Sequence, residues 1–126
     1  MTPGELCKSR MEHIADGFKS LQSAFVALGD ETRQQIIMAL LLSDHNGIRV
    51  GEITAKTHLS RPAVSHHLKI LKDARIVNMR RVGTKNYYYV DTDESQWKQM
   101  MELTQYVYDV AKDISENGSC RVQEEE

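Results

Sequence analysis

Apolar residues along this chain fall into two rhythms. Met11, Ile14, Phe18, Leu21, Phe25 and Leu28 follow one another at steps of three or four, which predicts a helix over residues 8–28. Gly29 interrupts the pattern. Asp30 is then an N-cap for a second helix over 31–43, with Ile36, Ile37, Leu40 and Leu41 on its inner face. Ser43 to Gly47 reads as a turn, and a short helix over 50–57 follows with Val50, Ile53 and Thr57 inward. Ser60 offers another N-cap, and Pro62 sits in a first turn, where a missing N–H costs little. A further helix therefore starts here and runs to about Arg75 on the stripe Val64, Leu68 and Leu71.

The rhythm then changes. The runs IVNMRRV and KNYYYV place β-formers on both sides of Gly83-Thr84, which predicts a two-stranded hairpin over 76–90. Asp91 to Ser95 is a turn and cap. A last helix over 96–116 carries Trp97, Met100, Thr104, Val107, Ala111 and Ile114 at steps of three and four. Asn117-Gly118 ends it, and 117–126 is expected to be a flexible acidic tail. Two short helices joined by a few residues, over 49–76, followed at once by a hairpin, make a mainly α fold with a β-hairpin wing. The expectation is a winged helix-turn-helix in a single domain spanning 1–126. Its terminal stripes are narrow, and a small winged domain cannot cover both. A homodimer through the N- and C-terminal helices is therefore expected, with Met11, Ile14, Phe18 and Leu21 meeting Trp97, Met100, Thr104, Val107, Ala111 and Ile114 in the interface.

Composition adds a class and a compartment. A chain of 126 residues with 40% apolar content suits one packed domain. No apolar run approaches the roughly 18 residues of a membrane span, and MTPGELCKSR lacks the apolar segment of a secretory leader. Cys7 and Cys120, near opposite ends, form no disulfide framework, so a cytoplasmic protein with no membrane partner is expected. The net charge of −2 hides a strong asymmetry. Residues 56–90 hold eight Lys and Arg against the single Asp73, whereas 91–126 hold ten acidic residues against three basic ones. A basic block inside a slightly acidic chain points to a polyanion partner.

The segments ALGDETRQQIIMALL, VGEITAKTHLSRPAVSHHLKILKDARIV and RRVGTKNYYYV, within about residues 23–93, resemble the ArsR/SmtB family of repressors. That resemblance implies a homodimer with dimerisation helices at both ends. It also implies double-stranded operator DNA as partner and an inducer, unknown here, that releases it. A helix seated in the major groove, with its hairpin along the neighbouring backbone, would place the DNA-binding residues. Ser60 caps the helix and stands beside a phosphate. Arg61 and Pro62 open the helix. Ser65 and His66 face outward to base edges; His67, about 100° further round, either contacts a phosphate or packs, and Lys69 is either a backbone contact or a solvated charge. Arg80, Arg81 and Lys85 arm the wing. Tyr87, Tyr88 and Tyr89 read as strand packing more than nucleotide stacking. His58 stands at a turn where many such motifs have glycine, a position that favours a left-handed backbone.

No metal and no cofactor are expected. Neighbouring His66 and His67 diverge around a helix and suit one ion poorly. Arsenic- and cadmium-type sensors of the resembled family carry Cys-x-Cys before an acidic–apolar pair. Here the pair Glu52-Ile53 follows Arg49-Val50-Gly51. Zinc sensors use Asp and His on the last helix, but this chain offers Asp91, Asp93 and Glu94 with no histidine over 96–116, and carboxylates alone bind transition metals weakly. Cys7 and Cys120 flank the predicted dimer helices and are candidate thiol sensors; with His13 they are also the lesser candidates for an unusual metal site across the dimer. Dangling terminal cysteines are the plainer reading, and the inducer stays open among redox, metal, organic and none. No glycine-rich phosphate loop, apolar carboxylate pair or nucleophile triad suggests an enzyme. The alternatives are an activator of another winged-helix family and a winged module for protein contacts. The cluster Arg61, Arg80, Arg81 and Lys85 argues against the second.

Overall fold

A computed structural model describes residues 1–93 and 95–118. The chain folds as two compact units, residues 23–98 and the terminal segments 1–22 with 99 onward.

In the terminal unit, α1 spans Pro3–Ser20. It starts five residues before the apolar stripe suggested, because Thr2 and Glu5 form a capping box. The Thr2 hydroxyl accepts from Glu5 N at 3.1 Å, and the Glu5 carboxylate accepts from Thr2 N at 2.8 Å. That hydrogen bond from the Thr2 backbone holds the Glu5 carboxyl below its ordinary value. The expected single helix over 8–28 is two helices. The backbone leaves the helix at Leu21 and resumes in α2, Gln22–Leu28. The last helix, α6, spans Trp97–Asn117. From Gln99 on it lies antiparallel to α1: Arg10 Nη1 meets Asp113 at 2.8 Å, the His13 and Tyr106 rings stand 4.3 Å apart, and Gly17 faces Leu103. A Cβ on Gly17 would fall 2.6 Å from Leu103 Cδ1, so glycine sets the closeness of the two helices. The Arg10 guanidinium, and then the Asn117 amide, hold the Asp113 carboxyl below the usual range.

The buried face of this part of α6 is Met100, Leu103 and Val110, of which Met100 was expected in the dimer seam. Thr104 and Ala111, expected in the dimer seam, are exposed on the single chain. Met101 and Tyr108, at 62% and 60% exposure, lie with them on an outward apolar face. Met11 and Phe18 of α1 are also exposed, Ile14 is half-buried and Leu21 is buried.

The central unit opens with α2, whose Ala24 and Ala27 are buried. Helix α3, Glu31–Leu41, is capped by Asp30, whose carboxylate accepts from Arg33 N at 3.0 Å. That bond comes first among the causes that depress the Asp30 pKa. Arg33 reaches back to the end of α2, donating from Nε to Ala27 O at 2.8 Å, while Gln34 Nε2 donates to Leu28 O at 2.6 Å. The segment from Gly29 to Gln34 is thus a joint that satisfies one helix's last carbonyls and the next helix's first N–H groups. Ile36, Ile37, Ala39 and Leu40 are buried. Leu41, expected inward, is 63% exposed, because the buried set centres on a face that turns it out.

Helices α4, Val50–Thr57, and α5, Arg61–Asp73, form the helix-turn-helix. His58 joins them in the left-handed conformation, φ 60° and ψ 22°, as its position in the turn predicts. Ser60 caps α5 by accepting from Ala63 N at 3.2 Å. Val64, Leu68 and Leu71 are buried with Ile36, Ile53, Ile76 and Val77 in the core of this unit. At the other end of α5, Arg75 N donates to Lys72 O and Ile76 N to Leu71 O, a Schellman closure with Arg75 itself at φ 62°. The wing pairs β1, Val77–Val82, with β2, Lys85–Val90, in antiparallel register from Val77↔Val90 to Val82↔Lys85, and Gly83 takes φ 63° in the two-residue turn.

Ile48 adds a bridge to Tyr88, with N···O distances of 3.0 and 2.8 Å. Gly47 makes this possible. Its φ is 99°, and a Cβ there would lie 2.9 Å from Tyr88 O. The start of α6 is also fixed in this unit: Trp97 Nε1 donates to Ile76 O at 2.9 Å, and Ser95 Oγ accepts from Trp97 N. Trp97, expected in the dimer seam, therefore has its indole N–H committed to the base of the wing. Among the described residues no helix is long and apolar enough to cross a membrane.

Candidate nucleic-acid interface

The residues expected to meet DNA divide into three groups. Arg61, Pro62, Ser65 and His66 are exposed along the first two turns of α5, opposite the buried Val64 and Leu68. Ser60 is exposed, with its hydroxyl accepting at the cap. Arg80, Arg81 and Lys85 are exposed on the wing. Arg80 lies over the ring of its cross-strand partner Tyr87, 5.6 Å from the centroid, and Arg81 Nε donates to Gly83 O at 3.0 Å. Both side chains are held on the strand rather than left to sweep solvent.

Two residues of the expected set are otherwise engaged. His67 is half-buried with Nδ1 3.3 Å from Arg33 Nη1, so it turns toward its own fold. Lys69 pairs with Asp73 at 3.1 Å, one turn along α5. Tyr87, Tyr88 and Tyr89 are half-buried in β2, as strand packing requires.

Sequence reasoning missed one region. Arg49, Val50, Gly51 and Glu52 at the start of α4, Arg61 of α5, and Thr84 and Asn86 of the wing line a single cleft. The cleft brings the recognition helix, the preceding helix and the wing tip together. Neither Arg49 nor Arg61 has a hydrogen bond or ion pair among the described residues. Asn86 Oδ1 is buried with no hydrogen-bond partner among the described residues. A basic residue just before a helix was legible, but its nearness to the wing depends on the Ile48–Tyr88 bridge, which carries no local signal.

Among the described residues no group of three or more His, Cys, Asp or Glu side chains is placed to hold a metal ion. Cys7 is half-buried on α1, and Cys120 lies outside the described residues.

The profile of the family "Bacterial regulatory protein, arsR family" matches residues 30–79, which run from the cap of α3 into β1. The HTH-type transcriptional regulator Rv2034 of Mycobacterium tuberculosis is 43% identical over 74 residues, 59% of this chain and 66% of that protein. The chain thus spans just under two thirds of that relative. The transcriptional repressor SdpR of Bacillus subtilis is 35% identical over 72 residues, 57% of this chain and 77% of its own length. Among solved structures, the homodimeric winged helix-turn-helix DNA-binding domain Mb0332 from Mycobacterium bovis superposes with a TM-score of 0.54 at 25% identity, covering 82% of this chain and 89% of that one. These relatives are named as regulators of transcription and not as enzymes. With its helix-turn-helix and wing inside the matched region, the chain belongs to the arsR family of bacterial regulatory proteins, which are DNA-binding transcriptional regulators.

Proposed function

We propose that this chain is a dimeric repressor that binds operator DNA with α5 in the major groove and the wing along the adjacent backbone. One observation carries this reading: Arg61, at the start of α5, shares a cleft with Thr84 and Asn86 of the wing. Reading helix and wing tip therefore address the same stretch of duplex. Ser65 and His66 supply base contacts, and Arg80, Arg81 and Lys85 supply phosphate contacts. The repressor named among the relatives supports the direction of control. Such a regulator works in the cytoplasm, where the chromosome lies. Where metal sensors of the resembled family carry thiolates, this chain has Arg49, Val50 and Gly51, so soft-metal switching is not its input at that place.

A gel shift on the DNA upstream of the chain's own gene tests the reading. Ser65→Ala and His66→Ala should each cost about 1–3 kcal/mol on the operator and relax base preference. Arg81→Ala should weaken all sequences alike. Equal binding by all these variants would show that α5 does not read the bases.

The dimer is supported by the outward apolar face of α6, where Met101, Thr104, Tyr108 and Ala111 recur at steps of three and four on an exposed surface. A second copy related by a twofold axis covers such a face, and operator half-sites then form an inverted repeat about one helical turn apart. Mass measurement in solution at micromolar concentration should return twice the chain mass of 14.4 kDa. A monomer would count against the dimer, and Met101→Glu should produce that monomer.

A further inference from the structure

We propose that the cleft between the start of α4 and the tip of the wing seats one phosphate oxyanion, gripped by Arg49 together with Arg61. This rests on the DNA-binding reading and adds a ligand pair and a floor to it. Two guanidiniums from different helices line one cleft, and neither is paired with any described residue. Like charges brought together repel unless a counter-charge joins them. The acidic residue of the cleft, Glu52, is exposed and pairs with neither arginine. The cleft therefore keeps a positive excess that an anion would neutralise.

Gly51 gives the cleft its floor. A Cβ on this residue would stand 3.1 Å from Arg61 Nη2, so the Arg61 guanidinium lies on bare backbone at the start of α4. There it adds to the positive end of that helix, whose cap residue Arg49 makes no side-chain capping bond. Guanidinium groups fit phosphate by paired parallel hydrogen bonds, and two of them approaching from different helices can hold one phosphate from two sides. Thr84 supplies a hydroxyl donor on the wing side. The position between recognition helix and wing favours a phosphate of the DNA backbone, with free inorganic phosphate as the other source of the same chemistry. Gly51 is a positioning residue on this account, and Arg49 is a direct phosphate ligand that no base contact requires.

The test uses the full chain with duplex DNA in a salt titration, and separately with inorganic phosphate followed by the backbone amide resonances of Val50 to Ile53. Arg49→Ala should weaken operator and unrelated duplex by the same factor and flatten the log–log salt slope by roughly two for a dimer. Gly51→Ala should do the same in part, and Glu52→Gln should tighten binding. If Arg49→Ala leaves both affinity and slope unchanged, and phosphate moves no amide of α4, the proposal is overturned. If the wild type binds no duplex but phosphate shifts these amides in an Arg49-dependent way, the DNA reading falls and the oxyanion seat stands with free phosphate as its ligand. If the wild type binds neither, both fall.

Discussion

Raising the salt from about 50 to about 200 mM is expected to weaken the hold on duplex DNA by roughly 10³- to 10⁵-fold. The size follows from the number of phosphates met. A dimer making about six to ten phosphate contacts releases a matching number of condensed counterions, and dilution of that entropy gain by added salt sets the slope. Each protomer must then offer about three to five cations. Arg61, Arg80, Arg81 and Lys85 are exposed and free of ion pairs among the described residues, and Arg49 joins them at the wing cleft. Lys69 adds less, because it must first leave Asp73. Arg80 and Arg81 already rest on Tyr87 and on Gly83 O, so fixing them against phosphates forfeits little rotamer freedom. Fluorescence anisotropy across the salt series gives the slope directly. A slope magnitude below about two would mean that too few phosphates are touched for this surface to be the one that binds.

Leu68→Ala is expected to lower the unfolding free energy by about 2–5 kcal/mol. Leu68 is 1% exposed and sits on the inner face of α5, between Val64 and Leu71, which are both fully buried. Removing its isobutyl group leaves a cavity that a helix tied at Ser60 and at the Arg75 closure cannot readily collapse. Leu41→Ala is the matched control. It deletes the same atoms from a residue that is 63% exposed and should stay within about 0.5 kcal/mol of the parent. Urea denaturation of the two variants separates the readings, and a Leu68→Ala loss as small as the control's would refute the core placement.

The helix-turn-helix and wing were legible because each boundary is written in a side chain. Asp30 and Ser60 cap helices, Pro62 opens one, and Gly83 turns the hairpin. The break at Leu21 was not legible, because the apolar stripe passes through it without glycine or proline. Thr2 and Glu5 did carry a start signal, but they precede the apolar stripe that marks the helix. On α6 the three-and-four spacing marked Thr104 and Ala111 for a seam between chains, but it gave no sign that Leu103 is buried against Gly17 of α1. His67 stayed open between phosphate contact and packing because its partner, Arg33, comes from α3. The nearness of Arg49 to the wing was illegible for the same reason, since proximity created by distant pairing has no trace in local pattern.

The Ile48–Tyr88 bridge has a thermodynamic consequence. A hairpin wing attached only at its base would swing, and immobilising it on DNA would cost ordering entropy at the moment of association. Here β2 is stitched to the residue two places before α4, so the wing's orientation is settled when the chain folds. Gly47, the residue whose backbone permits the stitch, thereby sets an association property from a position that lines no part of the wing cleft. Pre-ordering of this kind shifts affinity toward a slower departure from DNA, because the complex, once formed, has no loose strand through which to begin peeling away.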